Sequence, residues 1–104
     1  MIFVCSPYRG VTTEQTAAHA DRARRYVAQL SSQGIPAFAP HLYYPDILDE
    51  NDPMYHEMGM RLGLGFLRHC EAVHVPDDGV VSAGMDMELD FARRCNIPVR
   101  QKSF

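Results

Sequence analysis

The fold is decided by residues 1–36, which read MIFVCSPYRGVTTEQTAAHADRARRYVAQLSSQGIP. Residues 1–5 form a short apolar run that stops at a Ser-Pro pair, as expected for a strand buried on both faces. Over residues 13–33, apolar side chains recur every three or four positions, which predicts an amphipathic helix. Gly34 suits the left-handed position after such a helix, and Pro36 cannot continue it.

The rest of the sequence repeats this alternation of strand and helix. Its predicted elements are a strand at 37–40, a helix at 53–69 with Asp52 as N-cap, a strand at 72–75, a helix at 83–95 with Ser82 as N-cap, and a strand at 97–100. Strands joined in this order through helices need right-handed crossovers, which build a parallel sheet with helices on both faces. The sequence therefore predicts a small α/β fold, in which ligands bind at the carboxyl ends of the strands.

Composition and charge limit the domain count and the partners. The chain has 104 residues, 46% of them hydrophobic and 22% charged, and we expect one globular domain over residues 1–104. A formal net charge of −3 without a Lys/Arg-rich run makes a nucleic acid polymer a poor partner. No apolar run approaches the roughly 20 residues that span a bilayer, and no signal peptide pattern is present. We therefore expect a cytoplasmic protein without membrane contact.

Cysteine usage and ligand spacing argue against a metal. The three cysteines are Cys5, Cys70 and Cys95. An odd number without a CxxC pair favours buried reduced thiols over disulfides or a zinc site. His56 lacks the second histidine of a HExxH motif, and the acidic loop at 46–52 fits no EF-hand spacing. We expect no structural metal.

Candidate ligand-binding residues follow the first two predicted strands. Ser6, Tyr8, Arg9 and Gly10 supply a hydroxyl, an aromatic ring, a guanidinium and a flexible glycine directly after the first strand. Arg9 can form a bidentate contact with phosphate or carboxylate, and Tyr8 can stack on a planar base. A solvated turn is the alternative. His41, after the second strand, could also contact a ligand, although a solvated loop histidine is the more common case.

The segment 82–88, SAGMDME, combines a capping hydroxyl, a glycine and exposed backbone N–H groups at a predicted helix start. These donors and the helix dipole could bind a phosphate or carboxylate, although an ordinary N-cap gives the same pattern. Glu88 interrupts a largely apolar face of that helix. Burying its carboxylate unpaired would cost on the order of several kcal/mol, so it is either hydrogen-bonded in a cavity or exposed near the helix start.

Three loops together carry a resemblance to a known family: a strand ending in CSPYRG, a second ending in PHLYY, and a third leading to SAGMDMELDFA before IPV. Over nearly the whole chain this resembles the nucleoside 2-deoxyribosyltransferase-like superfamily, which includes small phage and bacterial domains of unassigned function and the deoxynucleoside monophosphate N-glycosidases. Its most specific part is S-x-G-M-x-x-E. The resemblance implies a flavodoxin/Rossmann-like three-layer α/β domain with a four- to five-stranded parallel sheet, no metal or organic cofactor, and a homodimer or larger homo-oligomer.

The resemblance also implies an activity, namely cleavage or transfer at the N-glycosidic bond of a (deoxy)nucleoside or its 5′-monophosphate. Its residue matches are Glu88 for the nucleophilic glutamate, Ser82, Gly84 and Met85 for the loop that holds the 5′-phosphate, and Ser6, Tyr8, Arg9 and Gly10 for the first-strand nucleotide loop. Proximity to the helix N-terminus is expected to keep Glu88 ionised, as a nucleophile requires.

One departure from that family leaves other functions open. Glycosidase members usually carry an aspartate on the helix before the third strand, whereas residues 61–65 here read RLGLG. Glu57, Asp46 or a residue of a partner subunit could substitute for it. Without such an acid, the same cleft could sense a nucleotide or an ADP-ribose-like ligand without cleaving it.

A third hypothesis is an assembly role for the helix at 53–69. Its apolar residues fall on two sides, Met54, Met58, Leu62 and Phe66 on one, and Met60, Leu64 and Leu67 on the other. Such a helix is either deeply buried or shared with a partner subunit. Gly59 and Gly63 would let another backbone approach closely, within the chain or from a second copy.

Overall fold

The structure is a computed structural model that describes residues 1–8, 10–49, 51–76 and 83–102. In chain order its elements are β1 (Ile2–Val4), α1 (Thr13–Ser32), β2 (Ala37–Phe38), two 3₁₀ turns (Pro40–Leu42 and Tyr44–Asp46), α2 (Pro53–Leu67), β3 (Ala72–Pro76), α3 (Ala83–Arg94) and β4 (Val99–Lys102). The predicted alternation of strands and helices is confirmed. None of the helices in these ranges is long and apolar enough to cross a membrane.

The described strands form one parallel sheet in the order β2-β1-β3-β4. Ile2 of β1 pairs with Ala37 on one side and with Ala72 on the other, so β1 is a central strand. The chain runs from β1 to β2 and then returns past β1 to β3. Strand order therefore reverses between β1 and β3, and the carboxyl ends of such a strand pair border the crevice where α/β proteins bind ligands.

The sheet is covered on both faces, which gives the three layers that were predicted. The face toward α1 contains Ile2, Val4, Tyr26, Leu30 and Ala72, and the face toward α2 and α3 contains Phe3, Cys5, Leu67, Val73, Met85 and Leu89. Successive residues of β1 alternate between these two clusters, because side chains along a strand point to opposite faces. The predicted burial of β1 on both faces is confirmed.

Helix ends explain where the observed bounds depart from the predicted ones. Gly34 follows α1 with φ of 76°, the left-handed conformation expected there. After α3, Asn96 also has a positive φ, of 59°. The amide of Ile97 then donates to the Ala92 carbonyl at 2.9 Å, so the chain is still completing the helix end at this point. For this reason β4 begins at Val99 rather than at residue 97.

Only one of the two apolar sides of α2 is covered. Gly59 and Gly63 are buried against Tyr44 and Pro40 of the same chain, and a Cβ added at Gly63 would lie 3.3 Å from the Pro40 Cβ. The close approach that the two glycines permit therefore takes place within this chain. The other side of α2 is exposed at Met54, Met58 and Leu62, whereas its fourth apolar residue, Phe66, stacks on Phe38 with 4.2 Å between ring centroids.

The cysteines are all free, but they differ in exposure. Cys5 and Cys70 are buried, as predicted. The prediction of a buried thiol is wrong for Cys95, which is exposed. Cys95 directly follows the last residue of α3, at the helix end where Asn96 takes up a positive φ.

Gly34→Ala and Gly65→Ala form a matched test of the α1 end, because neither position has an atom within 4 Å of an added Cβ. Alanine at the left-handed Gly34 should lower the free energy of unfolding by about 1 kcal/mol. Alanine at Gly65, in the interior of α2, should raise it by roughly 0.5 to 1 kcal/mol. Chemical denaturation measures both values, and changes of the same sign would contradict the assigned helix end.

Candidate active site

Glu88 lies in α3 and its side chain is only 3% exposed. Its Oε1 accepts a hydrogen bond from the Cys5 thiol, with 3.2 Å between sulfur and oxygen. Cys5 directly follows β1 and is fully buried. Of the two alternatives that the sequence left open for Glu88, the hydrogen-bonded, buried carboxylate is therefore the one observed.

Burial controls the ionisation of Glu88. Loss of hydration raises the pKa of its carboxyl from the ordinary 4.5 to about 7, while the bond from Cys5 acts in the opposite direction. The expectation that the helix N-terminus keeps Glu88 ionised is therefore wrong. Loss of hydration destabilises the carboxylate by more than the Cys5 hydrogen bond stabilises it. Protonated and ionised forms are both populated near neutral pH.

A cavity of about 20 Å³ adjoins Glu88. It is lined by Tyr8, Pro40, His41, Tyr44, His56, Gly59, Met60 and Glu88. These residues come from the loop after β1, the 3₁₀ turns after β2, the first half of α2, and α3. Residues far apart in the sequence thus converge at the carboxyl end of the sheet, where the strand order predicts a crevice.

The rings of Tyr8 and His41 form one wall of this cavity. They are stacked, with 5.0 Å between centroids and an interplanar angle of 17°. Desolvation lowers the pKa of His41 to about 4, although a hydrogen bond with the Ser6 backbone opposes this shift. His41 is therefore neutral at physiological pH. The sequence-based expectation of a solvated loop histidine does not describe it.

A larger cleft also borders these two rings. It has a volume of about 270 Å³ and is lined by Tyr8, Thr13, Thr16, Ala17, Ala20, Arg24, His41, Leu42, Pro45 and Asp46. The cleft and the Glu88 cavity share Tyr8 and His41. The stacked rings therefore border both the cavity beside the buried carboxylate and a much more spacious opening.

Two further candidate residues, Ser6 and Gly10, lie in the loop after β1. Ser6 is buried, and its hydroxyl has no hydrogen-bond partner within the described ranges. Gly10 closes the loop onto α1, because its amide donates to Thr16 Oγ1 at 2.9 Å and a Cβ there would collide with Gln15. Its local role is thus structural.

In α3, Gly84 is the second residue of the helix and is half-buried. The side chain of Met85 is 1% exposed and packs in the core, so only its backbone could contact a phosphate. Arg9 and Ser82 lie outside the described residues, and their proposed contacts with the ligand remain sequence-based expectations.

The carboxylates suggested as replacements for the family aspartate differ in position. Glu57 is exposed and pairs with Arg61 at 2.7 Å, on the face of α2 that carries Met54 and Met58. It does not line the Glu88 cavity. Asp46 lines the larger cleft. Within the ranges that the structure describes, no three His, Cys, Asp or Glu side chains are grouped so as to hold a metal ion.

Sequence reasoning missed Cys5 and His56 as parts of this site. Cys5 was assigned only as a buried thiol, and a contact between residues 83 positions apart leaves no local signal. His56 was considered only for a zinc motif. Its spacing from Gly59 and Met60, three and four residues on, places all three on one face of α2 and could have indicated the shared cavity.

Comparisons with known proteins agree with this architecture. The chain belongs to a family described as a domain of unknown function (DUF7768), whose model matches residues 1–102. No curated protein matches it. Among solved structures it is similar to a 2-deoxyribosyltransferase from the psychrotolerant bacterium Bacillus psychrosaccharolyticus, with 17% sequence identity, a TM-score of 0.70, and coverage of 98% of this chain and 71% of that chain.

That likeness confirms the flavodoxin/Rossmann-like α/β fold with a parallel sheet. The solved protein is described as a biocatalyst for the synthesis of antiviral and antitumoral nucleosides. At this level of sequence identity the relationship concerns the fold. The resemblance drawn from the sequence motifs is therefore supported for the architecture.

Glu88→Gln tests the burial of the carboxylate through pH-dependent stability. The native pKa is about 7 and the ordinary value is 4.5, so the folded state holds this proton more tightly than the unfolded state. The resulting contribution to the free energy of unfolding is complete below pH 4.5 and is lost as the pH rises through 7, a total of about 3 kcal/mol. The stability difference between wild type and the Glu88→Gln variant should decline by this amount over that window.

Glu71→Gln is the matched control, because Glu71 is an exposed glutamate that lies outside α2 and lines neither cavity. Its stability difference from wild type should change little over the same window. The lowered pKa of His41 gives the opposite pH dependence, but it is present in every variant and cancels in the difference. Equal pH dependence for the two glutamine variants would contradict the assignment of Glu88 as a buried carboxyl.

Proposed function

We propose that the protein cleaves or transfers the N-glycosidic bond of a (deoxy)nucleoside or nucleoside 5′-monophosphate, with Glu88 as nucleophile. The observation that carries this proposal is a buried carboxylate that adjoins a cavity at the point where strand order reverses. The S-x-G-M-x-x-E motif and the fold shared with a 2-deoxyribosyltransferase support the same reaction class. Water or a second base would be the acceptor.

The chemistry uses the ionised form of Glu88. A carboxylate oxygen attacks C1′ of the sugar, the C1′–N bond breaks, and its electron pair leaves with the base. The acceptor then displaces the carboxylate from C1′ and regenerates Glu88. Because the pKa of Glu88 is about 7, Glu88 is ionised in only a fraction of the protein molecules at neutral pH. We therefore expect the rate of the first step to rise as the pH increases through 7.

His56 is the proposed source of the proton, or of the hydrogen bond, that the departing base needs. It lines the same cavity as Glu88, whereas Glu57 does not. His41 also lines the cavity, but its pKa of about 4 leaves it without an extra proton to donate at neutral pH. In this assignment His56 takes the role of the aspartate that the resemblance leads one to expect. The role of His41 is to stack on Tyr8.

Substrate access requires the two stacked rings to separate. A cavity of about 20 Å³ has room for little more than a water molecule, whereas ligand sites usually measure roughly 300 Å³ or more. Joining it to the cleft of about 270 Å³ reaches that range. The Tyr8 and His41 rings would then offer flat surfaces on which a nucleobase could stack.

Free-base release tests the reaction directly. Wild type is incubated with a panel of deoxynucleosides and their 5′-monophosphates, and the products are separated by chromatography. We expect free base from at least one substrate, and a loss of roughly 10³-fold or more in Glu88→Gln, because the amide cannot attack C1′. Glu71→Gln should retain wild-type turnover, because Glu71 is an exposed glutamate that lines neither cavity and lies outside α2. Equal base release by wild type and Glu88→Gln would remove Glu88 from the mechanism.

A second candidate function is non-catalytic binding of a nucleotide or an ADP-ribose-like ligand. It is favoured by one observation: among the described residues, Glu88 is the sole carboxylate that lines the small cavity. A binding module would raise its melting temperature with a ligand that chromatography recovers unchanged. Release of free base from the same ligand would show that the protein is an enzyme rather than a binding module.

We also propose that the chain forms a homo-oligomer through the exposed side of α2. The side chains of Met54, Met58 and Leu62 are 63%, 41% and 45% exposed. Glu57 and Arg61 flank them, so two copies related by a twofold axis could place opposite charges beside the apolar contact. A second copy is therefore the occupant that fits this surface best.

Leu62→Glu should convert the oligomer into a monomer, because it places a charge in the apolar contact. Val11→Glu is the control, since Val11 is an exposed apolar residue, 94% accessible, that lies outside α2. Light scattering measures the molar mass of each. A monomeric wild type, or an unchanged mass for Leu62→Glu, would contradict the proposed contact.

A further inference from the structure

Cys5 and Glu88 are held together by two rigid elements. The Cys5 amide donates to the His74 carbonyl at 2.9 Å, which fixes it beside β3 at the carboxyl end of the central strand. Glu88 is fixed by α3, which packs on the sheet through Met85 and Leu89. Because both backbones are constrained, the Cys5 sulfur and Glu88 Oε1 are held close together, with 3.2 Å between the two atoms.

The Cys5 thiol keeps its proton. Burial, the nearby Glu88 and Asp86 charges and the hydrogen bond itself raise the pKa of Cys5 far above its ordinary value. Cys5 is therefore neither a nucleophile nor a negative charge that would repel Glu88. Its S–H group is a permanent donor, and among the described residues it lies 3.2 Å from Glu88 Oε1 and 4.0 Å from the Met85 carbonyl.

We propose that Cys5 is a positioning residue for Glu88. The Cys5 thiol donates to Oε1 of Glu88 and leaves the second carboxylate oxygen free to attack the anomeric carbon of the substrate. This inference rests on the proposed function for its catalytic meaning. A thiol suits the task because it is a weak donor. It orients the carboxylate while withdrawing less negative charge from it than a hydroxyl or an amide would.

The bond also biases protonation, because it favours the ionised over the neutral carboxyl. Other groups near the pair could titrate or carry charge. They are Tyr8, His41, Tyr44 and His56 around the cavity, and Asp86 on α3. All of them remain in place when the thiol alone is removed, so a change in the Glu88 titration reports the Cys5 bond.

The first experiment follows the Glu88 carboxyl carbon by ¹³C NMR over a pH titration, with Glu88→Gln used to assign the signal. In Cys5→Ala the midpoint should move upward by about 0.5 to 1 pH unit, because the ionised form loses its donor. Cys5→Ser restores a donor and should move the midpoint back toward wild type. Cys70→Ala is the control, since Cys70 is a second buried thiol, which donates to the Phe66 carbonyl at 3.3 Å.

Infrared spectroscopy supplies a second readout that a purely structural role would not change. The S–H stretching band of Cys5, isolated as the difference between wild type and Cys5→Ala, should shift as Glu88 titrates near pH 7. The Cys70 band should not shift over this range. A Cys5 band that is independent of pH, or a Glu88 midpoint unchanged in Cys5→Ala, would overturn the proposal.

Turnover distinguishes this inference from the proposed function. If wild type releases base, Cys5→Ala should lower kcat by roughly tenfold with little change in KM, and the rising limb of the pH profile should follow the Glu88 midpoint. Cys5→Ser should recover part of kcat. If wild type releases no base, the proposed function fails, while the NMR and infrared titrations still decide whether the thiol positions Glu88.

Discussion

The site depends on one constraint: a carboxylate has been taken out of water at the carboxyl end of the central strand. Glu88 is 3% exposed and is held by the thiol of Cys5. Desolvation favours its neutral form, and the Cys5 thiol, a weak donor, offsets only part of that cost. A fold that retains such a group gives up stability at neutral pH. Such a loss of stability is expected where a reaction requires a carboxyl group to lose its proton near neutral pH.

The surroundings of Glu88 are consistent with this reading. The cavity beside it is small, is lined on the α2 side by His56, Gly59 and Met60, and is bounded by the stacked rings of Tyr8 and His41. So small a cavity holds little water, which strengthens electrostatic effects on the carboxylate. The same rings line the larger cleft. Tyr8 and His41 therefore border both the cavity beside Glu88 and the more spacious cleft.

The sequence was sufficient for the architecture, because apolar periodicity and helix caps are local signals. Gly34 marked the end of α1, and the motif around Glu88 indicated a site on α3. The contacts that define the site are not local. The Cys5–Glu88 bond spans 83 positions, and the pKa of Glu88 follows from burial that only the packed sheet and helices produce. The strand order that brings these segments together is likewise a property of the whole fold.

The most direct test of the central claim is to trap the sugar on the protein. A 2′-deoxy-2′-fluoronucleoside slows release of a glycosyl group from a carboxylate, because fluorine destabilises the positive charge that develops at the anomeric carbon. Peptide mass spectrometry after incubation should find one fluorosugar ester, located on Glu88 and absent from the Glu88→Gln variant. Base release from this substrate accompanied by an ester on a different residue would contradict the account.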